Sequence, residues 1–401
     1  MPTSAADLLS AAYSDADRTI DLRRALHRQP EIGLHLPRTQ ATVLEAFAEL
    51  PVEVTVGTST TSVVGVLHGA RPGPTFLLRA DMDALPVHED TGLPFASEVP
   101  GAMHACGHDT HVAMLLGAAR LLAERRDLLA GQVVFMVQPG EEGFHGARYM
   151  LEEGLLDVVP GAPVSGAFAL HISSTFPSGS INVRPGPMMA AADQWRMTVR
   201  GRGGHASMPH TAADPVPVAA EIVLALQSMV TRRVDVFDPA VVTVAHIAAG
   251  STNNVIPDVA ILEGTIRTLS AARREDVVAA VRRVATHVAA AHEMTLDFEH
   301  VPGYPVTVND AAVAGRVLET AAALLGEPAT ALMTAPLMGA EDFSYVLQRV
   351  PGVMAFLGAC PPGLDPATAP ANHSNLVVFD EEPLPAGVAL YAQMALQALS
   401  G

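Results

Sequence analysis

The chain has 401 residues, a length that favours more than one domain, and its 49% hydrophobic and 16% charged content excludes a disordered polymer. A formal charge of -18 argues against nucleic acid and anionic membrane surfaces as partners, and no apolar run reaches membrane-spanning length. Two cysteines, Cys106 and Cys360, cannot build a disulfide framework, and the first residues carry no basic-then-apolar leader, so a reduced, cytoplasmic protein is expected.

Apolar spacing predicts a first helix over residues 5–27, with Ile20, Leu22 and Leu26 among its apolar positions and Pro30 ending it, and a second over 39–50, stopped by Pro51. Strand-like runs follow at 52–56, 61–67 and 75–78, the last leading directly to Asp81 and Asp83. The stretch MHACGHDTH at 103–111 opens a helix carrying Val112, Leu115, Leu116, Ala119 and Leu122. Buried strands are expected at 132–137, running into Glu141 and Glu142, and at 167–170, ending beside His171. This alternation reads as an α/β sheet flanked by helices, in which ligands bind beyond the carboxyl ends of strands. Asp81, Asp83, Glu141, Glu142 and His171 all fall at such ends.

Near Ala190 the pattern changes. Strands at 194–200, 240–248, 259–268 and 295–300, with helices at 214–231 and 271–292, give the order β-α-β-β-α-β. We read a smaller α+β domain, residues 191–303, inserted into a discontinuous catalytic domain, residues 1–190 and 304–401. The latter ends with a helix at 310–325, a strand at 353–357 and a helix at 384–399.

Three histidines, a cysteine and an aspartate within residues 103–111 are hard to explain as core or solvated surface, whereas thiolate and imidazole are natural ligands of zinc and its neighbours. Cys106 and His108 reach one site only if Gly107 allows a tight turn, and they are the expected ligands of this stretch, with Asp109 and the other histidines in supporting roles. Glu141 and Glu142 follow a strand within a Pro139–Gly140 and Gly143 setting. Adjacent carboxylates point in different directions, so one can bind metal while its neighbour handles protons of a metal-activated water. A solvated acidic loop is the competing reading.

Together these motifs resemble the aminoacylase and carboxypeptidase-G superfamily of two-metal peptidases, and within it the amidohydrolase branch that includes hippurate hydrolase, N-acyl-amino-acid amidohydrolases and auxin-conjugate hydrolases. The resemblance spans LHRQPE at 26–31, residues 79–86, 103–111 and 138–143, ALH at 169–171, GGHAS at 203–207, NVIPD at 254–258, GTIR at 264–267, GAEDF at 339–343, and His373–Ser374. It implies two divalent ions (zinc, manganese, cobalt or nickel) held by Cys106, His108, Glu142, His171 and His373, with the Cys106 thiolate bridging or nearly so. It implies Glu141 as general base, with Asp83 orienting a metal-bound group. It also implies a lid domain that mediates a homodimer, with His205, Asn254, Arg267 and Gly339 contacting substrate.

The expected activity is metal-dependent hydrolysis of an N-acyl amino acid. A dipeptidase of the same fold, a non-catalytic binding relative and a cysteine-nucleophile hydrolase are the alternatives. Three departures from the branch stand out: Gly140 where alanine is frequent, His145 where glycine is common, and Ile172–Ser173–Ser174 after His171.

Overall fold

The computed structural model describes residues 5–400, which divide into two compact units. The first comprises the described residues up to Met188, Val308–Ala335 and those from Asp342 onward. The second is Met189–Thr307 with Pro336–Glu341.

The first unit begins with α1 (Ala5–Ser14) and α2 (Ala16–Arg28), not the single helix expected over 5–27. The break is at Asp15 (φ -105°, ψ 16°), whose carboxylate accepts from Arg120 Nε at 2.8 Å. A partner 105 residues away thus overrides local helical spacing. Helix α3 (Pro37–Ala48) starts on a proline, and Glu31 accepts from the backbone N–H of Thr39 at 2.8 Å, satisfying an exposed helix-start donor.

An eight-stranded mixed sheet forms the centre. Its strands are β1 (Glu53–Val56), β2 (Val63–His68), β3 (Arg71–Asp81), β4 (Ala130–Gln138), β5 (Val164–Ser173) and β6 (Ile181–Val183), with Thr330–Leu332 and Gly352–Gly358. The order is β1-β2-β4-β3-β5, then Gly352–Gly358, β6 and Thr330–Leu332. Strands β4, β3, β5 and Gly352–Gly358 run parallel, so their carboxyl ends open on one edge. Strand β3 continues past the expected end at Leu78, because the buried Arg79 and Asp81 pair with each other at 2.7 Å.

Helix α4 (His108–Ala123) is buried from His108 through Leu122, which explains why its sequence lacks a polar face. It packs against β3, β5, α2 and the C-terminal helix Leu384–Ala398. Helix α5 (Gly146–Glu152) follows the Glu141–Glu142 turn.

The second unit has a four-stranded antiparallel sheet of Ala191–Arg200, Ala240–Ala249, Val259–Thr268 and Thr295–Pro302, with Ala240–Ala249 and Thr295–Pro302 at its edges. Helices α6 (Pro215–Arg233) and α7 (Ala271–Ala291) bury Ile222, Leu226, Val281 and Ala285 against Trp195, Met197 and Val199. The chain order is the expected β-α-β-β-α-β. Asp214 and Ser270 cap the two helices by accepting from Val216 and Arg273 N–H groups. Among the described residues, no helix is long and apolar enough to cross a membrane.

Candidate metal centre

Residues from three strand ends and a distant loop converge on Cys106. Gly107 makes the turn: at φ 85° it lies in the left-handed region, and a Cβ there would sit 2.3 Å from Ile172 Cγ2. The tight turn expected between Cys106 and His108 is therefore present.

Cys106 Sγ lies 3.4 Å from His171 Nε2 and 3.2 Å from His373 Nε2. His373 Nε2 is also 3.2 Å from Glu142 Oε1, and His108 Nε2 is 3.9 Å from that oxygen. Two overlapping groups result, Cys106–His108–His171 and Cys106–Glu142–His373, which share the thiol.

Backbone carbonyls decide which ring nitrogens face the centre. A carbonyl only accepts, so His108 Nδ1 donates to the Asp83 carbonyl at 2.8 Å and His171 Nδ1 donates to the Ile172 carbonyl at 2.7 Å. Nδ1 thus carries a proton in both rings, and Nε2 is the nitrogen turned to the centre and left for a metal. His111 differs. Its Nε2 accepts from Ile172 N–H at 2.8 Å and its Nδ1 donates to Asp81 at 2.5 Å, so neither nitrogen is left for a metal.

The site holds buried polar atoms with no hydrogen bond inside the protein, among them His108 Nε2. Unsatisfied buried atoms are costly, and this one stands 3.9 Å from Glu142 Oε1. Ligand atoms of a tetrahedral zinc site stand about 3.4 Å apart, given bond lengths near 2.1 Å. The separations found here match that spacing. The donor set and its unsatisfied atoms fit divalent cations.

Charge supports the same view. Burial, reinforced by Glu142, pushes the Cys106 thiol up. Hydrogen bonds to Cys106 and Glu142 raise His373 to about 10 despite partial burial. Burial alone would lower His108, yet Asp81 and Cys106 hold it well above its usual range. Burial, with His111 adding to it, keeps His171 well below. Protons thus sit on the thiol, His108 and His373, where a cation would displace them.

Asp83 and Glu141 flank these groups. Asp83 Oδ1 accepts from Glu141 N–H at 2.9 Å and Oδ2 from Glu142 N–H at 3.0 Å, so one carboxylate fixes the turn that aims both glutamates. The Glu141 carboxylate is buried within reach of His108 and Glu142. Gly140, at φ 69°, would press a Cβ to 2.5 Å from Leu34 Cδ2, which accounts for glycine here in place of alanine. His145 occupies a left-handed position (φ 59°), and its Nδ1 lies 2.9 Å from the Tyr345 hydroxyl.

Sequence reading missed two supports. Asn372 Nδ2 donates to the carbonyls of Cys106 at 3.1 Å and Ile172 at 3.0 Å, pinning the residue before His373 to both. Asp342 accepts from Gln138 Nε2 at 2.6 Å and from the Ala147 N–H at 2.9 Å, so it caps the first turn of α5. An arginine inside an otherwise apolar strand, Arg79, was the available signal. It donates to Gln138 at 2.9 Å and faces Asp342 at 3.2 Å.

His205, Asn254, Arg267 and Gly339 belong to the second unit. His205 and Asn254 line a cleft of about 800 Å³ there; Arg267 and Gly339 are not among its lining residues. Ser207 N–H donates to His205 Nδ1 at 3.1 Å, which leaves the proton on Nε2. Arg267 pairs in register with Ala192 and Val241, and Gly339 accepts from Ala190 N–H at 2.9 Å.

Residues 77–397 match the model of Peptidase family M20/M25/M40. The chain belongs to this family. By family it is a hydrolase of amide bonds. It is 39% identical to thermostable carboxypeptidase 1 of Saccharolobus solfataricus, over 95% of both chains. It is 38% identical to N-acetylcysteine deacetylase of Bacillus subtilis, over 94% of this chain and 96% of the relative. Among solved structures, the YXEP protein of Bacillus subtilis, a dinuclear metal binding peptidase of the M20 family, superposes with a TM-score of 0.83 at 34% identity, covering 96% of this chain and 99% of that one.

Proposed function

We propose that the chain is a two-metal amidohydrolase that splits N-acyl amino acids, such as N-acetyl or N-benzoyl conjugates, into a carboxylate and a free amino acid. The observation that carries this reading is the Cys106 thiol shared by two ligand groups, with the buried Glu141 beside them. Cys106, His108, Glu142, His171 and His373 are the residues that would hold the cations. When bound, the cations supply Lewis-acid polarisation of the scissile carbonyl and make water acidic enough to give up a proton near neutral pH. Glu141 takes that proton and returns it to the leaving amine. Asp83 holds both glutamate N–H groups, so the proton carrier and its ligand neighbour keep a fixed spacing.

His205 and Asn254, sharing one cleft in the second unit, are assigned to the substrate's carbonyl or carboxylate, and Arg267 and Gly339 to further substrate contacts. An Nε2–H on His205 is the donor that an oxyanion needs. The likeness to N-acetylcysteine deacetylase supports an N-acyl substrate, whereas that to thermostable carboxypeptidase 1 favours a peptide with a free carboxyl end.

Assay of zinc-, manganese-, cobalt- and nickel-loaded protein on N-acetyl and N-benzoyl amino acids beside dipeptides separates the two. Turnover confined to dipeptides would overturn the N-acyl reading, and full activity after thorough chelation would overturn the metal requirement.

We further assign a homodimer to the second unit. The edge strand Ala240–Ala249 has one neighbour among the described strands, and Val241, Ile247, Leu224 and Phe237 are exposed apolar side chains of this unit. Light scattering that finds a monomer at micromolar concentration would remove the assignment.

A further inference from the structure

Asp109 follows His108 in the first turn of α4, yet its carboxylate joins a separate buried ion cluster. Asp109 Oδ2 lies 2.8 Å from Arg23 Nε and 2.8 Å from His27 Nδ1, and all three side chains are almost fully buried. His27 Nε2 reaches Glu89 Oε2 at 3.2 Å, and Arg23 Nη1 reaches Glu381 at 3.0 Å. Phe95 closes the cluster, with the Arg23 and Arg24 guanidinium groups 4.7 and 4.9 Å from its ring centroid and His27 edge-on to it. Neither ring nitrogen of the buried His104, 6.2 Å from the His27 ring, has a hydrogen-bond partner.

Burying ions is costly, and an apolar replacement often serves stability as well, so a cluster of this kind is a poor device for holding a fold together. Its geometry instead fixes where one residue stands. Helix α2 supplies Arg23 and His27, and both grip Asp109, the immediate chain neighbour of His108. The Glu89 side is tied to the other end of the centre. Asp90 N–H donates to the Asn375 carbonyl at 2.9 Å, Asn375 Nδ2 donates to Asp90 at 2.5 Å, and His373 N–H donates to the Ala105 carbonyl at 2.8 Å.

We infer that Arg23, His27, Glu89 and Asp109 are positioning residues that hold the Cys106–His108 turn and the His373 segment at the separation two cations require. The inference rests on the two-metal reading above. It adds α2 and residue 89, which supply no ligand, to the apparatus that sets cation affinity.

The test uses full-length, cobalt(II)-loaded protein and reads two quantities besides activity. One is the cobalt Kd by chelator competition; the other is the near-ultraviolet thiolate-to-cobalt charge-transfer band, which reports the Cys106 sulfur directly. Asp109→Asn and His27→Gln are expected to weaken cobalt binding by about 10–100-fold, as losses of partners behind metal ligands do, and to shift or weaken the band. Leu26→Ala, in the same helix but buried in the hydrophobic core, is the structural control. It should lower Tm and leave band and Kd in place.

Folded Asp109→Asn and His27→Gln proteins with wild-type Kd and band would overturn the inference. So would a Leu26→Ala protein that loses as much cobalt affinity for the same drop in Tm. If Asp109→Asn does not fold, His27→Gln and Glu89→Gln carry the same comparison, and wild-type values in both overturn it. A wild-type protein without any thiolate band would instead remove the two-metal reading with a Cys106 ligand.

Discussion

Cys106 Sγ and His373 Nε2 stand 3.2 Å apart, although 267 residues separate them in the chain. The same sulfur is 3.4 Å from His171 Nε2, so it is the one atom common to both ligand groups. Losing it should therefore damage both cation positions together. Cys106→Ser is expected to leave fewer than two ions per chain after gel filtration and to weaken cation binding at least about 10-fold. Elemental analysis of the purified variant checks this, and two tightly held ions per serine-bearing chain would refute a shared thiolate.

Glu141 and Glu142 are adjacent but placed for different work. Glu141→Gln should keep the metal content and the fold while lowering kcat by about 10²–10⁴-fold, the range for loss of a general acid–base group. Metal analysis beside steady-state kinetics separates binding from proton transfer. A glutamine variant that turns over at the wild-type rate would transfer the role elsewhere.

The raised His373 pKa predicts opposite pH trends for the metal-free and metal-loaded forms. Hydrogen bonds to Cys106 and Glu142 lift it from 6.5 to about 10 in the folded chain. The stability this adds to the metal-free protein is full below about pH 6.5 and fades as pH rises toward 10. A cation must displace that proton, so its apparent affinity climbs over the same interval, by up to about tenfold per unit for each proton released. The Tm gap between cobalt-loaded and metal-free protein should widen from about pH 6.5 to about pH 8.5. A constant gap over that range would contradict proton displacement.

Gly107 admits no side chain. At φ 85°, with Ile172 Cγ2 2.3 Å from a built Cβ, Gly107→Ala combines left-handed strain with overpacking. A destabilisation of about 2–4 kcal/mol is expected in urea titration, together with weaker cation binding. An alanine variant within about 0.5 kcal/mol of wild type would show that the turn relaxes at little cost.

Much of the architecture is legible in the sequence because parallel strands buried on both faces read as continuous apolar runs, and useful side chains sit just beyond them. Asp83 and Glu141 are placed by that logic, whereas His171 lies inside β5, which runs on to Ser173. What escapes it is made by distant partners. The break at Asp15 depends on Arg120, and the start of α5 depends on Asp342. The three-residue strands β6 and Thr330–Leu332 carry too few positions for any periodicity to register. His111 sits in the densest ligand motif of the chain, yet only its hydrogen bonds to Ile172 and Asp81 show that both of its nitrogens are occupied.

The discontinuous make-up of the first unit sets a schedule for biosynthesis. Cys106, His108, Glu142 and His171 all lie before Met188, whereas His373 lies after the whole of Met189–Thr307. His171 and His373 are 202 residues apart (373 minus 171), which a ribosome covers in about 10–40 s. During that interval the nascent chain carries an incomplete ligand set, while the strands of the antiparallel sheet all come from one contiguous stretch, Ala191–Pro302. Cation capture by the full ligand set is thus a late event in the life of each molecule, set by the order of translation.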